Sequence, residues 1–449
     1  MSVISKLVML AAGKGTSPYW AFLTTNATAV TPANNFDLDS SDNVFIPLNN
    51  FDSGVGLLKV SPEGVLLEKN KFTFSSPWTA VVSGLVVTSS GAPVLFGYAD
   101  NSTWPDWKPG FQYQFSNSLS PSSFRFYRAN VSQPVYAGEF LLLSGILDIN
   151  NKFYFVGNWN RTSSGSGQQN YSLFTHTTSS FSTVGTFYLG ALSSSGMGIA
   201  ANKTLVAGSG YNVWCMFNSS GSSIARNYAN SSGSFGSVTN AYLLNNANFR
   251  SHVGHAVTSS NHLYTFSTNG QGLRFTPNGA SAINLSNAYV WSAPSGFDSF
   301  SYVFSIYETI DSTEYIVVQG TCRHTASGRT GVFFIKYDLS FNFINGTLIT
   351  NSTSSMSARG IRLDSGKNVI MSAVLGNQTV VIKLPNDSSI SGSSGDWNVY
   401  TFSAPTRSAG TATLSTHPGY NSGSGGTTAD DTATRTFSSP DISSATANL

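Results

Sequence analysis

Strand-length apolar runs alternate along this chain with short turns of Asp, Ser, Asn and Gly, and one unit of that pattern recurs seven times. The copies are FDLDSSDNVFI (36–46), GLVVTSSGAPVLF (84–96), GILDINNKFYFV (145–156), GMGIAANKTLVA (196–207), GHAVTSSNHLYTF (254–266), FSIYETIDSTEYIVV (304–318) and GIRLDSGKNVIM (360–371). Aligned on the first apolar residue after the turn, they fall at Val44, Val94, Phe153, Leu205, Leu263, Tyr315 and Val369, with spacings of 50, 59, 52, 58, 52 and 54 residues. Each hairpin is followed by a third strand: 56–60, 111–115, 171–175, 212–217, 272–275, 331–338 and 379–384. A more polar fourth strand follows in most units, as in SSFRFY (122–127) or INGTLI (344–349).

Four strands per unit at a nearly constant period predict an all-β chain folded as a seven-bladed β-propeller over residues 19–402. The coils of a β-helix are much shorter, and stacked sandwiches do not repeat at one period. In such a fold the first strand of each blade packs near the axis, which accounts for Gly84, Gly145, Gly196, Gly254 and Gly360. The second strand lies between neighbouring sheets, as the run Phe153-Tyr154-Phe155-Val156 requires. Residues 19–23, YWAFL, match KFTFS (71–75) ahead of the second hairpin, so they are expected to complete the last blade.

Composition narrows the surface and the partners. Only 10% of the 449 residues are charged, while aromatics reach 13% with 31 Phe and 19 Tyr, which suits half-buried pleated surfaces. A net charge of +2 without a basic cluster gives no footprint for a nucleic-acid backbone, so no nucleic-acid partner is expected. Cys215 and Cys322 stand far apart in strand-like runs and are expected to be two buried free thiols. No stretch approaches the ~20 apolar residues of a membrane span, so no membrane insertion is expected.

The opening VMLAAGKGT (8–16) has the look of a phosphate-binding loop. It is followed by Ser17-Pro18-Tyr19-Trp20, with no Arg for a phosphate and no helix-compatible run, so no nucleotide or other cofactor is expected. Its apolar stretch is shorter than an export signal requires. Residues 1–18 are instead expected to form an anchoring arm, with Ile4, Leu7, Val8, Met9 and Leu10 burying against a neighbour. Residues 403–449 have the Ser/Thr/Gly-rich composition of a disordered tail and are expected to form a second arm.

The "LAAG"-type leader, the YWAFL strand, the LDSSDNVFI and LDSGKNVIM hairpins, and GDWNVYTF (395–402) running into a Ser/Thr/Ala tail resemble propeller proteins of marine tailed phages. The resemblance spans roughly residues 1–410. It implies a virion protein assembled in the bacterial cytoplasm, in multiple copies of a symmetric assembly, bound to other virion proteins through both termini. A tail appendage presenting loops to a host glycan or protein is the leading role; a capsid-surface knob and a secreted polysaccharide-active enzyme are the alternatives. Low charge with abundant Ser, Thr, Asn and Gly agrees with a surface for marine salt, where screened ion pairs contribute little.

Candidate chemistry is sparse. The carboxylates Asp100, Asp106, Glu139, Asp148, Glu308 and Asp311 show no spacing that selects a glycosidase pair. His252 and His255 are three apart on a strand and point to opposite faces, and with His262 they read as ordinary polar residues, so no metal is expected. Ser193-Ser194-Ser195-Gly196-Met197-Gly198 lacks the context of a nucleophile elbow. No catalytic residue is assigned and a non-enzymatic role is expected. The binding candidates are Trp104, Asp106 and Trp107 in the loop YADNSTWPDWKPG (98–110), joined by Trp159 and Arg161 in the comparable loop of the next unit. Indole faces beside carboxylate and guanidinium groups suit a sugar, although aromatics of this kind also serve protein interfaces.

Overall fold

The computed structural model describes residues 18–24, 31–33, 35–51, 54–76, 78–103, 108–129, 140–147, 153–162, 168–177, 183–191, 196–201, 211–219, 222–230, 241–244, 252–278, 282–416, 422–424, 427–430, 435–438 and 444–448. The chain is an all-β propeller, and its described strands form seven sheets of five or six strands. They divide between two compact units.

The first unit holds three sheets. In chain order, its first sheet runs Thr31–Pro32, Val44–Phe51, Gly54–Val60, Leu66–Phe74 and Arg435–Ser438, with Asp37–Leu38 also on Val44–Phe51. The next runs Phe297–Ile310, Thr313–His324, Arg329–Asp338, Phe343–Asn351, Trp397–Thr401 and Gly392–Ser394. The last runs Met356–Leu363, Val369–Leu375, Gln378–Leu384, Trp20–Thr24 and Ser444–Asn448. The N-terminal strand therefore takes the fourth position of the last sheet, antiparallel to its third strand, with Trp20 opposite Lys383 and Phe22 opposite Val381. Trp20 and Phe22 are buried with Val44, Ile46, Leu58, Ile370 and Val381, so this strand is part of a core.

The second unit holds four sheets of the same plan. Their first four strands are Trp78–Val87, Pro93–Asn101, Gly110–Phe115 and Pro121–Ala129; Phe140–Leu147, Phe153–Thr162, Gln168–Thr177 and Thr183–Ala191; Gly196–Ala201, Tyr211–Ser219, Ser222–Asn230 and Ala241–Leu244; and His252–Val257, Leu263–Ser267, Gln271–Asn278 and Ala282–Ser292. Their fifth strands are Thr427–Asp430, Ser422–Ser424, Leu414–Thr416 and Thr406–Ala409.

Local chemistry explains where the hairpins turn. Among the described residues, eight five-residue turns share one design, beginning at Asp39, Ser61, Thr88, Ser116, Thr258, Ser267, Asp338 and Asp364. The first residue's carbonyl accepts from the backbone N–H of the fourth. Its side-chain oxygen accepts from the N–H of the fifth, for example Asp39 from Asn43 at 3.0 Å, Thr88 from Ala92 at 3.0 Å and Asp364 from Asn368 at 2.7 Å. The fourth residue is left-handed each time, with φ from 52° at Leu119 to 81° at Gly64. Asp, Ser and Thr are the residues whose short side chains make such bonds, so the turns are written into the sequence.

The sixth repeat departs from this design. Its hairpin turns on two residues, Asp311 and Ser312, at φ 48° and 64°, which is the two-residue geometry that suits the strand twist. The alignment on Tyr315 is consequently one residue out of frame. Ile316 is buried, and Tyr315 stays half-buried beneath the Lys336 ammonium, which sits 4.9 Å from its ring. In the fourth repeat, Tyr211–Ser219 pairs directly with Gly196–Ala201, Cys215 opposite Ile199, so residues 212–217 belong to the second strand and not the third. Leu205 lies outside the described residues.

The glycines of the first strands accompany a feature absent from the pattern. The pairing of first and second strands shifts register between Val82 and Gly84, Leu142 and Ser144, Gly196 and Gly198, His252 and Gly254, Tyr302 and Phe304, and Ala358 and Gly360. These are β-bulges, which bend and twist the strand. At Gly360 an added Cβ would lie 3.0 Å from the Phe36 ring and 3.2 Å from Ser372 Oγ, so the glycine admits the adjacent sheet. Gln319 of the sixth sheet reaches the same glycine from another neighbour: its amide donates to Ser372 O at 3.0 Å and its carbonyl accepts from Gly360 N at 3.0 Å.

The C-terminal segment departs most from expectation. Residues 403–449 carry no arm-like stretch among their described parts; six short strands there each add to the fourth-strand edge of a sheet. A segment too polar to bury itself still finds its backbone partners at an open sheet edge. The N-terminal residues Ile4, Leu7, Val8, Met9 and Leu10, with the whole of VMLAAGKGT, lie outside the described residues.

Candidate functional site

Trp104, Asp106 and Trp107 lie outside the described residues. Trp159 and Arg161 belong to the strand Phe153–Thr162, opposite Tyr171 and Gln169, and their side chains are not among those described. Of the carboxylates, Asp100 pairs with Lys108 at 3.7 Å and Glu308 with Lys367 at 3.1 Å, Asp311 belongs to the two-residue turn, and Asp106, Glu139 and Asp148 lie outside the described residues. Ser193 to Ser195 also lie outside them. His252 and His255 sit opposite Ser267 and Thr265 across a register shift, and His262 Nδ1 is 3.0 Å from an Arg274 nitrogen. Among the described residues no three His, Cys, Asp or Glu side chains gather as metal ligands.

The described residues that do form a recognition-like constellation belong to the sixth sheet. Its first strand has an irregular register between Asp298 and Ser301, with Ser299 at φ 53°. A non-glycine residue in that region is strained by about 1 kcal/mol, which the surrounding packing must hold. Gly320 on the second strand admits the irregularity, because a Cβ there would lie 2.0 Å from Ser301 O and 2.4 Å from the Phe333 ring. Beneath it Phe300 stacks on Phe333 at 4.9 Å, and Phe297 on Phe402 at 4.7 Å.

The bulge presents Asp298 to Arg323. The guanidinium donates to both carboxylate oxygens, Nε to Oδ1 at 2.7 Å and Nη2 to Oδ2 at 2.6 Å, with the two side chains 37% and 49% exposed. The Arg323 hydrogen bond holds the Asp298 carboxyl below the usual range, so both groups are charged at neutral pH. Alongside, the His324 ring stacks on Tyr400 at 4.3 Å and lies 5.5 Å from Phe297. Thr325 anchors the loop by donating to Gly296 O from N and Oγ1 at 3.0 and 2.9 Å, and His324 Nδ1 meets Ser327 Oγ at 3.0 Å.

Charged donors and acceptors at the surface beside half-buried aromatic faces can bind a polyhydroxylated ring, its hydroxyls on the ion pair and its apolar face on an aromatic. Cys322 lies behind this patch as a free, buried thiol whose Sγ is 3.2 Å from Asp298 O. Burial, with the Asp298 charge second, pushes the thiol up to about 12, so it is neutral there. Sequence reasoning sought the site at tryptophans. Arg323-His324 and Asp298 gave no comparable signal, because they are brought opposite each other only by the register of two antiparallel strands across the bulge.

No protein-family model matches the chain, and neither does any curated protein sequence. Solved structures similar to it include the WD40 β-propeller domain of Doa1, with a TM-score of 0.47 and 11% identity over 82% of this chain and 97% of that one. The C-terminal WD40 domain of Sif2 matches with a TM-score of 0.43 and 9% identity over 81% and 99% of the two chains. The periplasmic gluconolactonase PpgL of Pseudomonas aeruginosa matches with a TM-score of 0.44 and 8% identity over 86% and 100%.

Proposed function

We propose that this propeller works by binding and not by catalysis, as a virion component of a tailed phage, in a tail appendage that presents loops to a glycan on the host surface. The observation that carries the binding role is the exposed Asp298–Arg323 pair held by a bulge beside His324, Tyr400 and Phe297. Strain and buried polar support at an exposed patch are the marks of a surface shaped for a ligand. The sequence resemblance supplies the virion setting, and the low charge agrees with a surface that operates in salt.

The test is titration of the purified protein with bacterial surface polysaccharides, followed by calorimetry and by assay for released reducing ends. Saturable binding without turnover, weakened about tenfold or more by Arg323→Ala and by Tyr400→Ala, is expected. Turnover abolished by a single carboxylate substitution would overturn the non-enzymatic reading, and binding indifferent to both variants would remove this patch from it. A virion reconstruction showing the protein at a tail position, at three-, six- or twelvefold copy number, tests the setting.

A further inference from the structure

The last seven described strands of the chain share one behaviour. Trp397–Thr401 pairs with Phe343–Asn351, the fourth strand of the sixth sheet. Thr406–Ala409 then takes the same edge of the fifth sheet, Leu414–Thr416 of the fourth, Ser422–Ser424 of the third, Thr427–Asp430 of the second, Arg435–Ser438 of the first, and Ser444–Asn448 of the seventh. From the sixth sheet to the first the segment thus visits the sheets in reverse chain order and then joins the seventh, always beyond the fourth strand. Wherever the register is resolved the pairing is antiparallel: Leu243 opposite Ser415, Tyr188 opposite Gly423, Tyr127 opposite Ala429, Ala21 opposite Ala447.

After Trp397–Thr401, each of these strands joins its sheet by backbone pairing. All four side chains of Thr406–Ala409 are exposed. Among the described side chains, Arg407 donates to Ser340 O and Phe341 O at 3.0 and 2.8 Å, Ser408 Oγ donates to Val290 O at 3.4 Å, Ala412 packs on the cluster around Trp214, and Ala447 on the cluster around Ala21 and Ile382. Each sheet is a four-stranded unit without them, and its fourth-strand edge would otherwise present unpaired N–H and C=O groups. Backbone pairing at such an edge is how an extended peptide is recognised by strand addition.

We infer that the fourth-strand edges are strand-acceptor sites, that their ligand is an extended, weakly charged Ser/Thr/Ala/Gly-rich segment, and that residues 406–448 are this ligand supplied by the chain to itself. A ligand bound by short, separate strands is exchangeable, so the same segment of a second copy can take its place once the first is released. The inference is independent of the glycan reading, since it concerns sheet edges and not the bulged patch.

The experiment uses the full chain with a protease site inserted between Ala404 and Pro405, cut only after folding. The cut segment is expected to co-elute with the remainder in gel filtration. A labelled synthetic peptide of residues 406–448 is expected to enter the cut protein saturably and to be excluded from the uncut one. A peptide carrying Ser415→Pro, Ala429→Pro and Ala447→Pro should bind at least about tenfold more weakly, since proline removes a ladder donor. Loss of the cut segment with no binding of the peptide, or equal binding of both peptides, would overturn the inference. Amide exchange on the unmodified chain is an independent readout: residues 427–430 and 444–448 should exchange more slowly than in the free peptide, and exchange at the free-peptide rate would also overturn it.

Discussion

Lys383 Nζ lies 2.9 Å from Asp364 Oδ2, with the two side chains only 10% and 3% exposed. The same ammonium donates to Pro62 O at 3.3 Å, and Asp364 also closes its turn by accepting from Asn368 N at 2.7 Å. One buried ion pair therefore joins the last sheet to the first within the same unit. Asp364→Ala strands a buried ammonium and uncaps the turn, and should lower unfolding stability by about 3–5 kcal/mol. The double variant Asp364→Asn with Lys383→Met, which removes both charges together, should cost much less, because neither buried group is left without a counter-charge. Denaturant midpoints check both; equal losses would show that the pair is not desolvated.

Trp20 reaches the same carbonyl, its Nε1 donating to Pro62 O at 2.9 Å while the ring is 1% exposed. Trp20→Phe should cost about 1–2 kcal/mol through the lost bond and trimmed ring, and Trp20→Ala about 3–5 kcal/mol through the cavity. Thermal unfolding followed by near-ultraviolet dichroism measures the difference. A Trp20→Ala protein as stable as the parent would mean that the N-terminal strand is dispensable to the last sheet.

Gly320→Ala should be among the most damaging single-methyl changes in the chain, since its Cβ would fall 2.0 Å from a backbone oxygen that the bulge holds in place. The expected result is a loss of several kcal/mol, roughly 3 or more. Retention of full stability would show that the Asp298–Ser301 segment yields easily and that Ser299 is not strained.

Alkaline pH should destabilise the fold in two steps. The Cys322 thiol is pushed up to about 12 by burial, whereas an unfolded thiol ionises near about 8.5. Between those values the unfolded chain gives up a proton that the fold retains, so stability is fully present below about pH 8.5 and falls as pH rises toward 12. Tyr302 and Tyr337, whose hydroxyls meet at 2.6 Å, are both raised by burial and add a loss of the same sign above about pH 10. Denaturant midpoints between pH 7 and 10.5 should decline, and Cys322→Ala should flatten the earlier part of that decline. Iodoacetamide should leave Cys322 unmodified in the fold at pH 8; rapid modification there would contradict its burial.

Much of the fold was legible because its turns are local chemistry. Asp, Ser or Thr at the first position, with a left-handed residue at the fourth, decides a hairpin within five residues, so Asp39, Thr88, Thr258 and Asp364 mark hairpins whatever surrounds them. Strand-length apolar runs between such turns then require sheets, and the even spacing requires similar sheets. The fourth-position strand at Trp20 was legible from its match to KFTFS (71–75), the strand ahead of the second hairpin.

What tertiary structure decided lies where two distant segments compete for the same hydrogen bonds or the same space. The two-residue turn at Asp311-Ser312 and the direct pairing of Tyr211–Ser219 with Gly196–Ala201 are register choices, which depend on the partner strand and not on the strand's own pattern. The bulge that turns Asp298 to Arg323 exists because Gly320, on another strand, leaves room for it. The C-terminal residues show the division most plainly. Composition tells whether a segment can bury a core of its own, and by that measure residues 403–449 cannot. Whether their backbone finds partners depends on open sheet edges elsewhere in the chain, and those edges exist only once the other strands have folded.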